Sequence, residues 1–152
     1  MEIIKYLEQN TCVSNKSKTR ACIYAASNGH LEILKYLHEN EYYWNHTSLY
    51  AAASRGHIKI IQYLYENGCK CDHNAYYYAI IKDHLEIVKY LHGKNIPLRE
   101  GMCVKAAEYG RLEILKYLHE HGCVLNEYAY DLATQNGHVE ILKYLHENDC
   151  PR

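Results

Sequence analysis

The stretch SNGHLEILKYL, residues 27–37, carries the pattern that decides the fold. Its leucines recur at three-residue spacing, at Leu31, Leu34 and Leu37, and charged side chains take positions on the opposite side. An apolar stripe at this spacing with a charged opposite face is typical of an amphipathic helix. The stretch therefore predicts a helix that starts after the glycine and buries one side.

A second, shorter helix is predicted immediately before this one. Cys22, Ala25 and Ala26 fall on one face of it, and the segment closes at Asn28-Gly29. Glycine at this place ends a helix and permits a sharp turn into the next one. Small alanines suit a face on which neighbouring helices approach to about 8 to 10 Å. Each unit is thus predicted to contain a helix, a tight turn, a second helix and a short return loop.

The same unit recurs along the whole chain. The tripeptide Lys-Tyr-Leu, or Gln-Tyr-Leu in one case, begins at Lys5, Lys35, Gln62, Lys89, Lys116 and Lys143, and every step after the first is 27 residues. One helix pair cannot bury its apolar faces alone, whereas stacked pairs bury a continuous core. The sequence therefore predicts an all-α helix-turn-helix solenoid in which each repeat contacts only its neighbours.

Residues 27–37 and the matching stretch QNGHVEILKYL at 135–145 resemble the core of an ankyrin repeat. The resemblance covers almost the whole chain and implies an ankyrin-like array whose first helices line a concave face. The repeat of 27 residues is shorter than the family's unit of about 33, and the missing residues fall where the family's β-hairpin fingers sit. The fingers are therefore predicted to be trimmed or absent. The family's Thr-Pro-Leu-His opening is replaced here, for example by Thr47-Ser48-Leu49-Tyr50.

Short-loop units that contain Lys-Tyr-Leu-His-Glu-Asn, as at residues 35–40, are similar to arrays carried by large DNA viruses of amoebae and by some protists. A single array is predicted over residues 1–152, with a partial N-terminal repeat and linker at 1–19 and repeats at 20–46, 47–73, 74–100, 101–127 and 128–152. The opening MEIIKYL aligns with a second helix and would leave an apolar edge exposed. Two interpretations stay open: the chain is a piece of a longer array, or this helix serves as its cap.

The third repeat is the least regular. Asp83 stands where the other repeats carry the turn glycine, Gly93 stands where they carry glutamate, and Pro97 lies in the return loop. Aspartate tolerates a positive φ better than most residues. The third repeat is therefore expected to fold but to be the weakest of the array.

Composition excludes several classes of function. With 48% hydrophobic residues, 23% charged residues and a net charge of -1, the chain is typical of globular proteins. A charge near zero disfavours broad electrostatic capture of nucleic acid or anionic membrane. The longest apolar stretch, around Ala75 to Ile81, is far below the roughly 18 residues that span a bilayer. The opening segment lacks the apolar run of a secretory signal, so the expected location is the cytosol, or the host cytosol if the chain is viral.

Eleven histidines and seven cysteines would ordinarily suggest a metal or a nucleophile, but most of them follow the repeat. Residues at the same place in successive repeats form a column, such as His30, His57, His84 and His138. Neighbours within a column are expected about 10 Å apart, too far for shared metal ligation or a disulfide. The local run Cys69, Cys71 and His73 lacks a matching second ligand pair. Phosphate-binding glycine loops, nucleophile elbows and HExxH helices are also missing from the sequence. We therefore predict structural histidines, free thiols, no cofactor, no metal and no enzymatic activity.

Specificity is expected where the repeats vary, on the exposed side of the first helices. Tyrosine is favoured at energetic hot spots because it buries a large area with few rotatable bonds and keeps one polar group. The predicted partner-binding residues are Tyr24, Tyr50, Tyr77, Tyr78, Lys105, Tyr109 and Asp131. The predicted function is a monomeric, non-catalytic scaffold for an unidentified protein partner. End-to-end self-association of a repeat fragment is the alternative, and a metal or cysteine enzyme comes last.

Overall fold

A computed structural model describes residues 14–151, which divide into two compact units on either side of the Cys71–Asp72 bond. Within this range every regular element is a helix: α1 Asn15–Ser27, α2 Leu31–Glu39, α3 His46–Arg55, α4 Ile58–Glu66, α5 His73–Ile81, α6 Leu85–Gly93, α7 Gly101–Glu108, α8 Leu112–Glu120, α9 Glu127–Gln135 and α10 Val139–Glu147. The predicted all-α fold of paired helices is confirmed for these residues. The predicted helix at the start of the chain lies outside them.

Side-chain caps explain where four of the first helices begin. Ser14, Asn45, Asp72 and Asn126 each accept a hydrogen bond from a backbone N–H in the first turn of the helix that follows. Such caps satisfy donors that have no partner inside the helix. Because Ser14 is the cap, α1 begins at Asn15, ahead of the repeat boundary predicted at residue 20.

Within the first unit, α1 packs against α2 and against α3, the first helix of the next repeat. The predicted core face is confirmed, since Cys22, Ala25 and Ala26 are buried. In the second unit, α7 packs in the same way against α8 and against the first helices α5 and α9. Ala106 is fully buried there, so the alanine positions mark close helix contacts, as the sequence predicts.

The tight turns between paired helices adopt the left-handed conformation. Gly29 has φ 76° and Gly110 has φ 73°. Asp83 takes the same conformation with φ 65°, which confirms that the irregular third repeat keeps its turn. None of the helices within residues 14–151 is long and apolar enough to cross a membrane.

Candidate functional site

The predicted partner-binding residues lie on or at the end of the first helices, but they differ in exposure. Tyr24 on α1 is 60% exposed, and the adjacent Tyr77 and Tyr78 on α5 are 37% and 38% exposed. The half-buried members are Tyr50 on α3, Lys105 on α7 and Tyr109, which ends α7, while Asp131 on α9 is exposed. The exposed tyrosines can therefore offer contact area directly, whereas Tyr50 and Tyr109 offer only part of their rings.

Two of these residues come together at one recess in the second unit. It has a volume of about 240 Å³, lies between the first helices α5 and α7, and is called here the α5–α7 recess; its lining residues are His73, Tyr77, Ile80, Arg99, Gly101, Met102 and Lys105. The Lys105 ammonium lies 5.7 Å from the centroid of the Tyr77 ring, within the range of a cation–π contact. The Tyr77 ring in turn stands nearly perpendicular to that of Tyr78, with 5.7 Å between centroids.

The electrostatics of this recess are set by its basic rim. Lys105 Nζ lies 2.6 Å from Glu108 Oε2, and this hydrogen bond raises the pKa of Lys105, so the ammonium stays charged. The guanidinium of Arg99 has no carboxylate within ion-pair distance among residues 14–151. The floor is apolar, since Ile80 and Met102 are buried. The recess thus joins an apolar floor and an aromatic wall to positive charge at the rim.

Sequence reasoning missed the floor and part of the rim. Arg99, Gly101 and Met102 lie at the junction of the return loop and α7, where repeat columns give little guidance. A signal was present, because Gly101 stands where the neighbouring repeats carry Asn74 and Tyr128. A Cβ at Gly101 would meet no atom within 4 Å. This glycine therefore leaves open space beside the helix start.

The other predicted residues do not line this recess. In the second unit, Tyr109 and Asp131 are absent from its walls. In the first unit, the ring of Tyr50 lies beside that of His46, with 5.4 Å between centroids. These residues remain candidates for more distributed contacts along the first helices.

Histidines and tyrosines of the second helices pair between successive repeats. His38 Nδ1 and the Tyr63 hydroxyl share a hydrogen bond of 3.0 Å, and His119 Nδ1 and Tyr144 share one of 2.9 Å. Each of these tyrosine hydroxyls therefore bonds an imidazole of the preceding repeat. The predicted structural role of these histidines is supported, because each imidazole forms a hydrogen bond with a tyrosine of the next repeat.

The cysteines of the return loops also serve the fold. The thiols of Cys69, Cys123 and Cys150 lie 3.6, 3.5 and 3.3 Å from carbonyl oxygens of the preceding return loop or helix start, at Asn45, Arg99 and Asn126. Burial raises the pKa of Cys69 to about 11, and burial likewise raises that of Cys22 to about 11. Both thiols are therefore protonated at neutral pH and poor nucleophiles.

Cys22, Cys69, Cys103, Cys123 and Cys150 are free thiols, and Cys12 lies outside the described residues. No group of three or more histidine, cysteine or acidic side chains in the described part of the chain is placed to hold a metal ion. The absence of a bound metal or cofactor stays a prediction.

These observations define a class of protein: a tandem array of helix pairs whose histidine and cysteine columns build the repeat and whose first-helix faces vary. A family model described as ankyrin repeats in three copies matches residues 1–75, 22–100 and 77–151. The chain therefore belongs to the ankyrin-repeat family. A comparison with curated proteins finds no match.

Proposed function

We propose that the chain is a non-catalytic protein-binding scaffold that holds its partner on the variable face of the first helices, the concave side in ankyrin arrays. Ankyrin repeats generally mediate protein–protein interaction, which supports the general function. The proposed contact residues are Tyr24, Tyr50, Tyr77, Tyr78, Lys105, Tyr109 and Asp131. Of these, Tyr77 and Lys105 form the centre of the site.

The single observation that carries this proposal is the α5–α7 recess. Tyr77 in its wall and Lys105 in its rim come from variable positions of two successive first helices, where Tyr77 is exposed and Lys105 is half-buried. A rigid aromatic ring beside an apolar floor is the arrangement expected at an interface hot spot. Lys105 is already paired with Glu108, so the charge of Arg99 is the one that favours a partner with an apolar side chain next to a carboxylate, because complementary charge aids association and register.

Binding is better supported than catalysis. The recess is an open surface feature, and none of the groups on its wall and rim is a cysteine or serine nucleophile. Burial raises the pKa of the Cys22, Cys69 and Cys150 thiols, whereas the hydrogen bond with Cys103 lowers the pKa of Cys123, which does not line the recess, to about 7. Tyrosine, lysine and arginine at such a surface instead match the residue types that anchor protein interfaces.

Partner capture from a lysate of the native cell tests the proposal. Tyr77→Ala and Lys105→Ala should each reduce the captured partner, by about 2 kcal/mol or more for a hot-spot aromatic, with the circular dichroism spectrum unchanged. Lys116→Ala is the matched control, because Lys116 also pairs with a glutamate three residues away but lies on a second helix. Unchanged capture by both first-helix variants, or a loss with the control alone, would place the interface elsewhere.

A cytosolic location and a likeness to the short-loop arrays of large DNA viruses and protists also stay proposals. The 27-residue repeat supports the likeness, and the return loops within residues 14–151 contain no strand. Self-association through the opening helix involves residues outside the described range. Sedimentation of the full chain tests it, since a mass that rises with concentration would favour that alternative over a monomeric scaffold.

A further inference from the structure

The first return loop, NEYYWN at residues 40–45, departs from the other loops of the chain. Glu41 adopts φ 60°, in the left-handed region. The equivalent positions hold residues that tolerate this conformation better, at Gly68, Asn95, Gly122 and Asp149. The first loop therefore keeps a long acidic side chain at a strained position, and such strain often accompanies a functional role.

Three consecutive aromatic residues follow Glu41 and help to form a recess in the first unit. The recess has a volume of about 290 Å³ and is called here the loop recess; its lining residues are His38, Glu41, Tyr42, Tyr43, Trp44 and Asn67. Tyr42 is buried, whereas Tyr43 is 66% exposed and Trp44 is half-buried. Tyr43 and Trp44 thus present aromatic surface to a ligand.

Trp44 is held in place by the second helices. Its ring centroid lies 4.1 Å from that of His38 and 5.9 Å from that of Tyr63. The hydrogen bond between His38 and Tyr63 fixes these two rings relative to each other. The indole is therefore positioned before any ligand arrives, which lowers the entropic cost of binding.

The charges around the loop recess suit a cation. Neither Glu39 nor Glu41 has an ion-pair partner among residues 14–151. Burial, and after it the Glu39 carboxylate, raises the pKa of Tyr63, whereas Lys35 lowers it. The Lys18 ammonium already lies 5.0 Å from the Tyr42 ring centroid. The Tyr42 ring, which lines the loop recess, therefore already makes a cation–π contact within the chain.

We propose that the loop recess binds the guanidinium group of an arginine side chain on a protein partner. A guanidinium is planar, weakly hydrated and able both to stack on an aromatic ring and to pair with a carboxylate through two hydrogen bonds. Exposed Tyr43 and half-buried Trp44 supply the rings, and Glu41 supplies the carboxylate. The α5–α7 recess has the opposite charge, so this inference goes beyond the proposed function and either one can fail alone.

The chain contains one tryptophan, so the NMR signal of the Trp44 indole N–H reports directly on this recess. The probe is the peptide acetyl-Gly-Arg-Gly-amide, and the control is the same peptide with citrulline, which keeps the shape of arginine without its charge. We expect a saturable shift with arginine and at least about tenfold weaker binding with citrulline. Equal affinity for both peptides, or no saturable shift with arginine, overturns the proposal. Tighter binding of a lysine or trimethyllysine peptide overturns the guanidinium assignment.

Glu41→Gly separates a binding role from a structural one. Glycine relieves the strain of a positive φ, so the unfolding midpoint should rise while the affinity for the arginine peptide falls by about fivefold or more. Asp149→Gly is the matched control, because Asp149 has φ 52° at the equivalent position of the last repeat; it should leave the arginine affinity unchanged. A lower midpoint for Glu41→Gly, or an unchanged affinity for the arginine peptide, contradicts the proposal.

Discussion

In the second unit, the turns at Gly110 and Asp83 pack against the next repeat through different residues. At Gly110, the His138 ring of the next repeat lies so close that an added Cβ would be 2.8 Å from its Cε1 atom. At Asp83, where a Cβ is present, the next repeat supplies Arg111 in place of histidine. Both partners reach a carbonyl of the preceding first helix: His138 donates to Glu108 and Arg111 donates to Ile81.

In these turns, the turn residue and the residue that enters the next repeat fit each other in shape. The rigid imidazole fits only over a glycine, and the same arrangement recurs at Gly29 and His57 in the first unit. The flexible arginine leaves room for a side chain, and its guanidinium comes within 3.8 Å of Asp83 Oδ2. The irregular third repeat is therefore compensated by its neighbour. Whether it is still the weakest repeat stays a prediction.

The largest effect is expected for Gly110→Ala. The added methyl would clash with the His138 ring, and alanine would have to adopt φ 73°. Together these effects should lower the free energy of unfolding by about 2 to 4 kcal/mol. Gly137→Ala is the control, because Gly137 has φ 72° and no atom within 4 Å of its Cβ position. The control should lose only the conformational part, about 1 to 2 kcal/mol. Urea denaturation measures both, and equal losses would show that the ring contact does not matter.

Arg111→His changes the residue that packs on the turn and leaves Asp83 in place. An imidazole placed over Asp83 should clash with its Cβ and cost about 1 to 3 kcal/mol in the free energy of unfolding. The double variant Asp83→Gly with Arg111→His should recover most of this loss, since it recreates the pair seen at Gly110 and His138. A double-mutant cycle on urea denaturation gives the coupling. If the free-energy changes of the two single variants simply add in the double variant, residues 83 and 111 are not coupled and the proposed fit between them is wrong.

Tyr144→Phe removes a contact between successive repeats that lies away from both turns, the hydrogen bond between Tyr144 and His119. It removes the hydroxyl that bonds His119 at 2.9 Å and should cost about 0.5 to 1.5 kcal/mol. Tyr128→Phe, at a tyrosine that is 62% exposed, should leave the unfolding midpoint unchanged. Equal effects of the two variants would mean that the histidine–tyrosine pairs add nothing to the stacking of repeats.

The smallest effect is expected for Asp83→Asn. Asparagine also tolerates a positive φ, so the substitution removes little more than the ion pair with Arg111, whose side chain is half-buried. Exposed ion pairs contribute about 0 to 1 kcal/mol. Thermal unfolding at low and high salt should therefore differ little from the parent. A larger loss would show that charge, and not space for the side chain, selects arginine at position 111.

The repeat pattern predicted much of the fold because burial along a helix follows local spacing. Leu34, Leu37 and Ala106 are fully buried or nearly so, as their columns indicate. The hydroxyl partners of Tyr63 and Tyr144 were not predicted, because each partner lies 25 residues away on a neighbouring repeat. For the candidate site, the spacing correctly placed Tyr77 and Lys105 on first helices but gave no account of Arg99 or Met102.

By itself, the sequence determined the all-α repeat, the family and the helical faces that vary, because a 27-residue period fixes which side chains share a face. Only the tertiary structure decided which of those side chains meet. The α5–α7 recess, the loop recess beside Trp44 and the pairing of Asp83 with Arg111 each join residues from different elements. Such contacts depend on how helices approach one another and on the rotamers that remain there, and neither is contained in the period of the sequence.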